Sequence, residues 1–332
     1  MKKLLILTTF PIHEKKLQLE NCKSQYHIFT YFLNKYIKNF DIILQYVPIM
    51  GNSSRIKNLY KNFNCKKADH CIVIDNRGLL RRPLSFYNEL RKQINGCIST
   101  ISASCSIKGN EDILFYMIPS GKRKRQGRRF IGWACDNELI KPSHKKDKIN
   151  ILIDHPYYGR QDSRMIEIDQ TLNISKQVYD FAKNKSNIIV KRFCKGGIEI
   201  LNEDNYNKMD KYVQNEGLNY HDACKIYSET DIFFVTHAEC MGLVVLECAM
   251  GGALIVSPID FIKRELLRYI NHVKINNKFN MNEIVSKIDH NKSRKLVERF
   301  NWINVCKVIE DSFLNFEEYK KKDLWFLRSL KI

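Results

Sequence analysis

The sequence lacks several features that would place it in whole classes of protein. No apolar run approaches the roughly 20 residues that a membrane-spanning helix needs, and the opening MKKLLILTTFP reaches Pro11 too early for the apolar core of a signal peptide. The 11 cysteines are odd in number and include no Cys-x-x-Cys pair, so they indicate neither a disulfide framework nor a zinc finger. We therefore expect a cytoplasmic chain with reduced thiols.

The common glycine-rich signatures of nucleotide enzymes are also missing. No Walker pattern is present, and no G-x-G-x-x-G follows either candidate first strand of an α/β domain. Both patterns bring backbone N–H groups to phosphates, so their absence argues against a P-loop ATPase and against a dinucleotide-dependent oxidoreductase. A phosphate site in this chain must be built in another way.

Positive charge, by contrast, is abundant. The formal net charge is +19 and the pI is near 9.4, which favours an anionic partner such as nucleic acid, a phospholipid surface or a phosphorylated substrate. The richness in Lys, Asn and Ile is equally typical of compositional drift without function. Charge alone leaves these alternatives open.

Short apolar runs alternate with helix-length segments in both halves of the chain, which predicts α/β architecture with parallel sheets. In the first half the predicted strands are 3–8, 41–47 and 71–74, and a helix is predicted over 25–37. In the second half the predicted strands are 149–154, 187–192, 231–235 and 253–257, and helices are predicted near 163–184, 220–228 and 242–250. We expect two Rossmann-like domains that face a cleft.

The rhythm is interrupted in the middle of the chain. Residues 119–150 combine basic clusters with prolines and glycines and show little periodicity, which predicts a loop followed by a linker. The predicted domains are therefore 1–143 on the acceptor side and 144–305 on the donor side. Residues 306–332 are predicted to be helical and to cross back onto the first domain.

The segment HAECMGLVVLECAMGGALIVSP, residues 237–258, carries the most specific pattern. It predicts a turn after a strand and then a helix, whose first N–H groups at Met241, Gly242 and Leu243 can bind a phosphate. Glu247 lies about 7.5 Å further along the helix axis, a suitable distance for the ribose of a nucleotide. Glu239, before the helix, is placed to meet a transferred sugar.

This segment resembles the E-x7-E motif of retaining, GT-B fold glycosyltransferases of the family 4 type, matching it at Glu239, Gly242, Leu243, Leu246, Glu247, Ala249, Met250 and Gly252. The resemblance implies that Glu247 binds ribose and that Glu239 contacts the donor sugar. It also implies that the amides between them bind the diphosphate, that no metal or further cofactor is needed, and that UDP-glucose is a reasonable donor. The usual glycine-rich loop after the first strand is absent, so the acceptor side must differ.

Further donor-site residues are predicted from the loops around this motif. Arg160, Arg192 and Lys195 are candidates to neutralise the diphosphate, with solvated surface charge as the alternative for each. His155 is a catalytic candidate together with Glu239, and His237 is a donor-binding candidate. Both histidines could bind sugar hydroxyls, although a structural role is the more common one for a single histidine.

A basic cluster predicts the acceptor. It comprises Lys122, Arg123, Lys124, Arg125, Arg128 and Arg129. The first interpretation is a DNA duplex whose hydroxylated base is glycosylated, as in some phage enzymes. The second is a lipid-linked or cell-surface glycan reached by peripheral membrane association. A third, from another class, is a non-catalytic nucleic-acid-binding protein on a transferase scaffold.

Overall fold

The structure is a computed structural model. It describes residues 1–8, 25–47, 64–74, 84–102, 111–117, 128–154, 164–194, 197–209, 218–237, 242–258, 261–262 and 264–318. The chain forms two compact units, one of Met1–Gly132 with Trp302–Ile332 and the other of Trp133–Asn301.

The division differs in detail from the domain limits expected from sequence. Residues 133–143 group with the second unit, and residues 302–305 with the first. The physical reason for the former lies in the backbone of Cys135, which donates a hydrogen bond to the Phe300 carbonyl at 2.7 Å and forms a parallel bridge with Asn301. The chain thus enters and leaves the second unit side by side.

The first unit contains a sheet of six strands in the order β2-β1-β3-β4-β5-β6, and every pairing is parallel. The strands are β1 (Lys2–Thr8), β2 (Phe40–Tyr46), β3 (His70–Ile74), β4 (Ile98–Ser102), β5 (Ile113–Tyr116) and β6 (Arg128–Phe130), with helices α1 (Gln25–Tyr36) and α2 (Leu84–Gln93). Unbroken apolar runs such as LLIL in β1 are fully buried, as expected for strands covered on both faces.

The second unit repeats this plan. Its sheet order is β12-β11-β10-β7-β8-β9, and only the edge strand β9 pairs antiparallel among the described strands. The strands are β7 (Ile149–Ile153), β8 (Ile188–Cys194), β9 (Gly197–Ile200), β10 (Ile232–Phe234), β11 (Leu254–Pro258) and β12 (His272–Ile275). The helices are α3 (Arg164–Ala182), α4 (Tyr220–Glu229), α5 (Leu243–Gly251), α6 (Arg264–Leu267), α7 (Met281–Val285) and α8 (His290–Val297).

Helix α9 (Trp302–Leu314) follows the second unit in sequence and belongs to the first. Trp302 is buried and stacks on Phe32, with ring centroids 4.6 Å apart, and it also meets Phe29 edge to face. The carboxylate of Glu310 accepts two backbone N–H groups from the turn after α1, at 2.8 and 2.5 Å. Aromatic packing and this buried acceptor together fix the helix on its unit.

Arg129 corrects one expectation. It lies in strand β6 rather than in a loop, and it is only 3% exposed. Its Nη1 donates to the Val308 carbonyl at 3.3 Å and to the hydroxyl of Ser312, both on α9. These bonds attach α9 to strand β6. The structure therefore gives Arg129 a structural role in place of the predicted nucleic-acid contact.

The order of the second sheet creates a switch point. The chain passes from β7 to β8 in one direction and returns to add β10, β11 and β12 in the other. Where strand order reverses in this way, the loops beyond the carboxyl ends of the two central strands diverge and leave a crevice for a ligand. Here those two strands are β7 and β10.

The cysteines and the helices of the described residues bear on two expectations from the composition. None of the eight cysteines among these residues forms a disulfide, and seven of them are buried. None of the described helices has the length and apolar character to cross a bilayer.

Candidate functional site

Helix α5 follows the β10 side of the switch point, and no side chain of the described residues caps its start. Gly242 is the N-cap residue, with φ −61° and ψ 130°, and as a glycine it offers no side chain to accept a hydrogen bond from the first turn. The first N–H groups of a helix have no intrahelical acceptor, and the helix dipole makes this end positive. Gly242 and Leu243 are both partly exposed, so this helix start can accept an anion.

The opposite end of α5 is fixed by glycines. Gly252 ends the helix in the left-handed conformation with φ 102°, which favours glycine. At Gly251 a Cβ atom would lie 2.1 Å from the Tyr227 carbonyl oxygen of α4, so only glycine allows the two helices to approach this closely. The GG pair of the motif therefore sets the position of α5.

Glu247 is the most unusual group on this helix. It is 2% exposed, and burial raises the pKa of its carboxyl from 4.5 to about 8, although the Tyr220 hydroxyl partly opposes the shift. Its Oε1 meets no hydrogen-bond partner within the described ranges. Buried carboxylates are normally paired, because leaving one unsatisfied costs free energy. A carboxyl in this state is suited to receive hydroxyl groups from a ligand.

His237 and Asp154 meet at the switch point. His237 follows β10, Asp154 follows β7, and the His237 Nδ1 lies 3.2 Å from an Asp154 carboxylate oxygen. Both residues are buried. The structure therefore places the predicted His237 at the carboxyl edge of the sheet. Asp154 was not predicted, although its position directly after the apolar run ILI was the available signal.

Arg192 is not available for the role expected from sequence. It is 1% exposed, and its guanidinium bonds to Glu199 at 2.7 and 2.9 Å and to the Ser175 hydroxyl at 3.2 Å. It also donates to the carbonyls of Asn205 and Lys208. These bonds tie β8, β9 and α3 together, so the structure favours a structural arginine over a diphosphate contact.

The remaining predicted residues lie outside the described residues. These are Glu239, Met241, His155, Arg160 and Lys195 of the predicted donor site, and Lys122, Arg123, Lys124 and Arg125 of the basic cluster. Arg128 lies in β6, but its side chain is outside the description. Their roles stay predictions.

A cavity opens beside the ends of β11 and β12. It has a volume of about 500 Å³, and its lining includes Ser257, Arg264, His272 and Lys274. Ser257 and His272 share a hydrogen bond of 2.8 Å, and burial lowers the pKa of His272 to about 4. The imidazole is therefore neutral at physiological pH, and the two cationic side chains give the cavity its positive charge.

Comparisons with known proteins bear on the fold. No family model and no curated protein matches this chain, whereas solved structures align along nearly its whole length. Sucrose-phosphate synthase from Thermosynechococcus elongatus aligns with a TM-score of 0.59 at 11% identity, covering 97% of this chain and 100% of that one. A putative UDP-N-acetylglucosamine 2-epimerase from Listeria monocytogenes gives 0.57 at 11% identity, covering 95% and 96%.

A third solved structure is HepE from Anabaena in complex with UDP-glucose, with a TM-score of 0.53 at 10% identity, covering 95% of this chain and 100% of that one. At these identities the similarity establishes the fold alone. The chain has the GT-B fold, with two Rossmann-like α/β units, and the predicted fold class is confirmed.

The buried state of Glu247 predicts a pH-dependent stability. Between pH 4.5 and about 8 the folded chain retains a proton that the unfolded chain releases, so this group destabilises the fold increasingly as pH rises through that window. Between pH 4.5 and about 8 the unfolding free energy of the wild type should fall by up to about 1.4 kcal/mol per pH unit relative to that of Glu247→Gln. Above about pH 8 the difference between the two proteins should stay constant. Urea unfolding across this pH range measures the difference.

The matched control is Glu203→Gln, because Glu203 is an exposed carboxylate of the same unit. Its stability should follow that of the wild type at every pH. If the unfolding free energy of Glu247→Gln also changes with pH in parallel with that of the wild type, the raised pKa of Glu247 is contradicted.

Proposed function

We propose that this protein transfers a sugar from a nucleoside diphosphate sugar to a hydroxyl acceptor. The observation that carries the proposal is the buried carboxyl of Glu247, whose Oε1 has no hydrogen-bond partner among the described residues. It lies five positions beyond a helix start that no described side chain caps, at the switch point of a mainly parallel sheet. The names of several structures with this fold refer to UDP or a UDP-sugar, which supports the same donor class.

The donor lies along helix α5 in this proposal. Its diphosphate accepts hydrogen bonds from the N–H groups at the helix start, near Gly242 and Leu243. The carboxyl oxygens of Glu247, about 7.5 Å along the axis, accept hydrogen bonds from both ribose hydroxyls, which favours the ionised form of this group in the complex. Glu239 binds the transferred sugar, as the resemblance to the E-x7-E motif implies.

The residues at the strand ends complete the sugar side. Asp154 lies against Nδ1 of His237, and a carboxylate there orients the imidazole and favours a proton on that nitrogen. His237 then presents its ring to the sugar hydroxyls. Charge on the diphosphate is balanced by the helix dipole and by basic side chains, for which Arg160 and Lys195 remain candidates once Arg192 is assigned to the scaffold.

Transfer proceeds with retention in this proposal. The acceptor oxygen bonds to the anomeric carbon on the face from which the diphosphate departs, the bond between that carbon and the phosphate oxygen breaks, and the leaving phosphate takes the acceptor proton. Preorganised donors at the helix start stabilise the charge that develops on the leaving group. This route uses no metal.

For the acceptor we propose a hydroxylated base in DNA. The net charge of +19 and the basic residues 122–125 support it, and a DNA acceptor accords with the cytoplasmic location expected from the thiols. A lipid-linked or cell-surface glycan and a non-catalytic nucleic-acid-binding protein are the outcomes that the experiments below distinguish.

The donor proposal predicts a selective loss in Glu247→Ala. Removing the ribose acceptor should weaken binding of UDP-glucose, or of the nucleotide sugar that the wild type prefers, by about tenfold or more. Isothermal titration calorimetry with a panel of nucleotide sugars measures this, with Glu203→Ala as the control of unchanged affinity. Equal donor affinity in Glu247→Ala would contradict the ribose role.

The acceptor proposal predicts a reduced salt dependence of DNA binding when Lys122, Arg123, Lys124 and Arg125 are replaced by Gln. Arg129 stays unchanged because it is a buried part of the fold. The slope of log K against log salt should become shallower by about 0.9 for each DNA phosphate that the variant no longer neutralises. An equal replacement at the exposed Lys141, Lys145, Lys146 and Lys225 is the charge-matched control.

Turnover assays with hydroxymethylated DNA and with a lipid-phosphate acceptor complete this test. An unchanged salt slope, or sugar transfer to the lipid alone, would contradict the DNA acceptor. DNA binding without donor binding or turnover would identify the non-catalytic alternative. Interconversion of the nucleotide sugar without transfer would instead indicate an epimerase.

A further inference from the structure

A cluster of two histidines and one aspartate lies at the end of α5 remote from the proposed donor site. Nδ1 of His144 is 2.9 Å from Oδ1 of Asp231, and Nε2 of His290 is 3.3 Å from the same oxygen. All three atoms lie within 4.8 Å of one another. Since α5 has nine residues, the cluster is about 13 Å along the axis from the helix start.

The other ring nitrogens fix the tautomers of both histidines. Nε2 of His144 lies 2.8 Å from the Gly251 carbonyl oxygen, and Nδ1 of His290 lies 3.1 Å from that of Gly252. A carbonyl can only accept, so each of these nitrogens carries the hydrogen of its ring. In a neutral imidazole the other nitrogen then carries the lone pair. Both lone pairs therefore belong to the atoms nearest to Asp231.

This arrangement brings three electron-rich atoms together. Asp231 Oδ1 is an acceptor, as are the two facing nitrogens of the neutral rings, so nothing among them can supply a hydrogen bond. A proton on one ring would satisfy only one of the two nitrogen–oxygen contacts, and protons on both would place two cations in a parallel stack with centroids 3.5 Å apart and an interplanar angle of 6°, where like charges repel. A single cation among the three atoms would satisfy all of them.

We propose that His144, Asp231 and His290 bind a divalent transition-metal ion of the zinc type. Two imidazoles and one carboxylate are a ligand set that Zn²⁺ accepts. Bonds of 2.0–2.1 Å in a tetrahedron place neighbouring ligand atoms about 3.3 Å apart, close to the observed 2.9 and 3.3 Å. The carbonyls of Gly251 and Gly252 act as the outer partners that orient metal-binding histidines.

The surroundings complete the site. Oδ2 of Asp231 accepts the backbone N–H of Asn150 at 2.6 Å, which holds the carboxylate in place. The carboxyl end of α5, with its negative dipole, points its last carbonyls toward the cluster. The side chain of His290 is 31% exposed, so an ion can enter from that side and a water can take the fourth position.

The role of this ion is structural. Its ligands come from the segment before β7, the residue that precedes β10 and the first residue of α8, so the ion joins three parts of the chain around the end of α5. Because a metal lies near the plane of each imidazole that binds it, binding turns the rings out of their parallel stack. The site is separate from the proposed transfer chemistry and does not depend on it.

Metal titration of the full-length chain tests the proposal. After removal of metal with a chelator, the wild type should bind one Zn²⁺ per chain and melt at a higher temperature with the ion than without it. With Co²⁺ as the probe, the absorption spectrum should show tetrahedral coordination without a thiolate charge-transfer band, since the proposed ligands are nitrogen and oxygen atoms. Failure of the wild type to bind either ion would overturn the proposal.

His290→Ala should weaken Zn²⁺ binding at least about tenfold. The matched control is His221→Ala, because His221 is an exposed histidine on α4 and its loss should leave the affinity unchanged. Urea unfolding of the metal-free proteins checks that His290→Ala is folded. His144→Asn, which keeps a polar side chain, provides a second variant with the same expected loss. Wild-type affinity in both folded variants, or a thiolate band in the Co²⁺ spectrum, would place the metal elsewhere and contradict the assignment.

Discussion

The burial of one carboxyl group, that of Glu247, is the constraint on which the proposed site depends. Placing a carboxyl in an apolar interior costs free energy, and here the cost appears as a pKa raised to about 8. A leucine at this position would avoid that cost. The chain instead keeps a polar group with one oxygen that meets no partner within the described ranges, which is understandable if a ligand supplies the missing hydrogen bonds.

The two ends of α5 differ in a way that supports this interpretation. At its carboxyl end, consecutive carbonyls are all bonded to side chains: Met250 to Arg294 at 2.8 Å, Gly251 to His144 and Gly252 to His290. Arg294 also bonds to the Ile140 carbonyl at 2.9 Å, so this end is tied to the segment before β7. At the amino end no side chain of the described residues caps the helix. One end is thus anchored within the protein, and the other is the end at which we propose that the diphosphate binds.

The sequence revealed the local elements well because apolar periodicity and glycine punctuation are local properties. The strand over 231–235 and the helix over 242–250 lie within two residues of the observed β10 and α5. The burial of charged side chains could not be predicted from the sequence in the same way, because it depends on partners that are distant along the chain. Arg192 and Arg129 were interpreted as anion contacts, but each is enclosed by acceptors that are distant in sequence, at Glu199 and Ser312 among others. The meeting of His144 with His290 likewise depends on tertiary packing.

A crystal structure of the protein with bound UDP would test the central claim most directly. We expect the diphosphate oxygens within hydrogen-bonding distance of the backbone N–H groups of Gly242 and Leu243. We also expect the two ribose hydroxyls on the carboxylate of Glu247. A nucleotide bound elsewhere, with the Glu247 carboxyl still buried and without contact to it, would contradict the account.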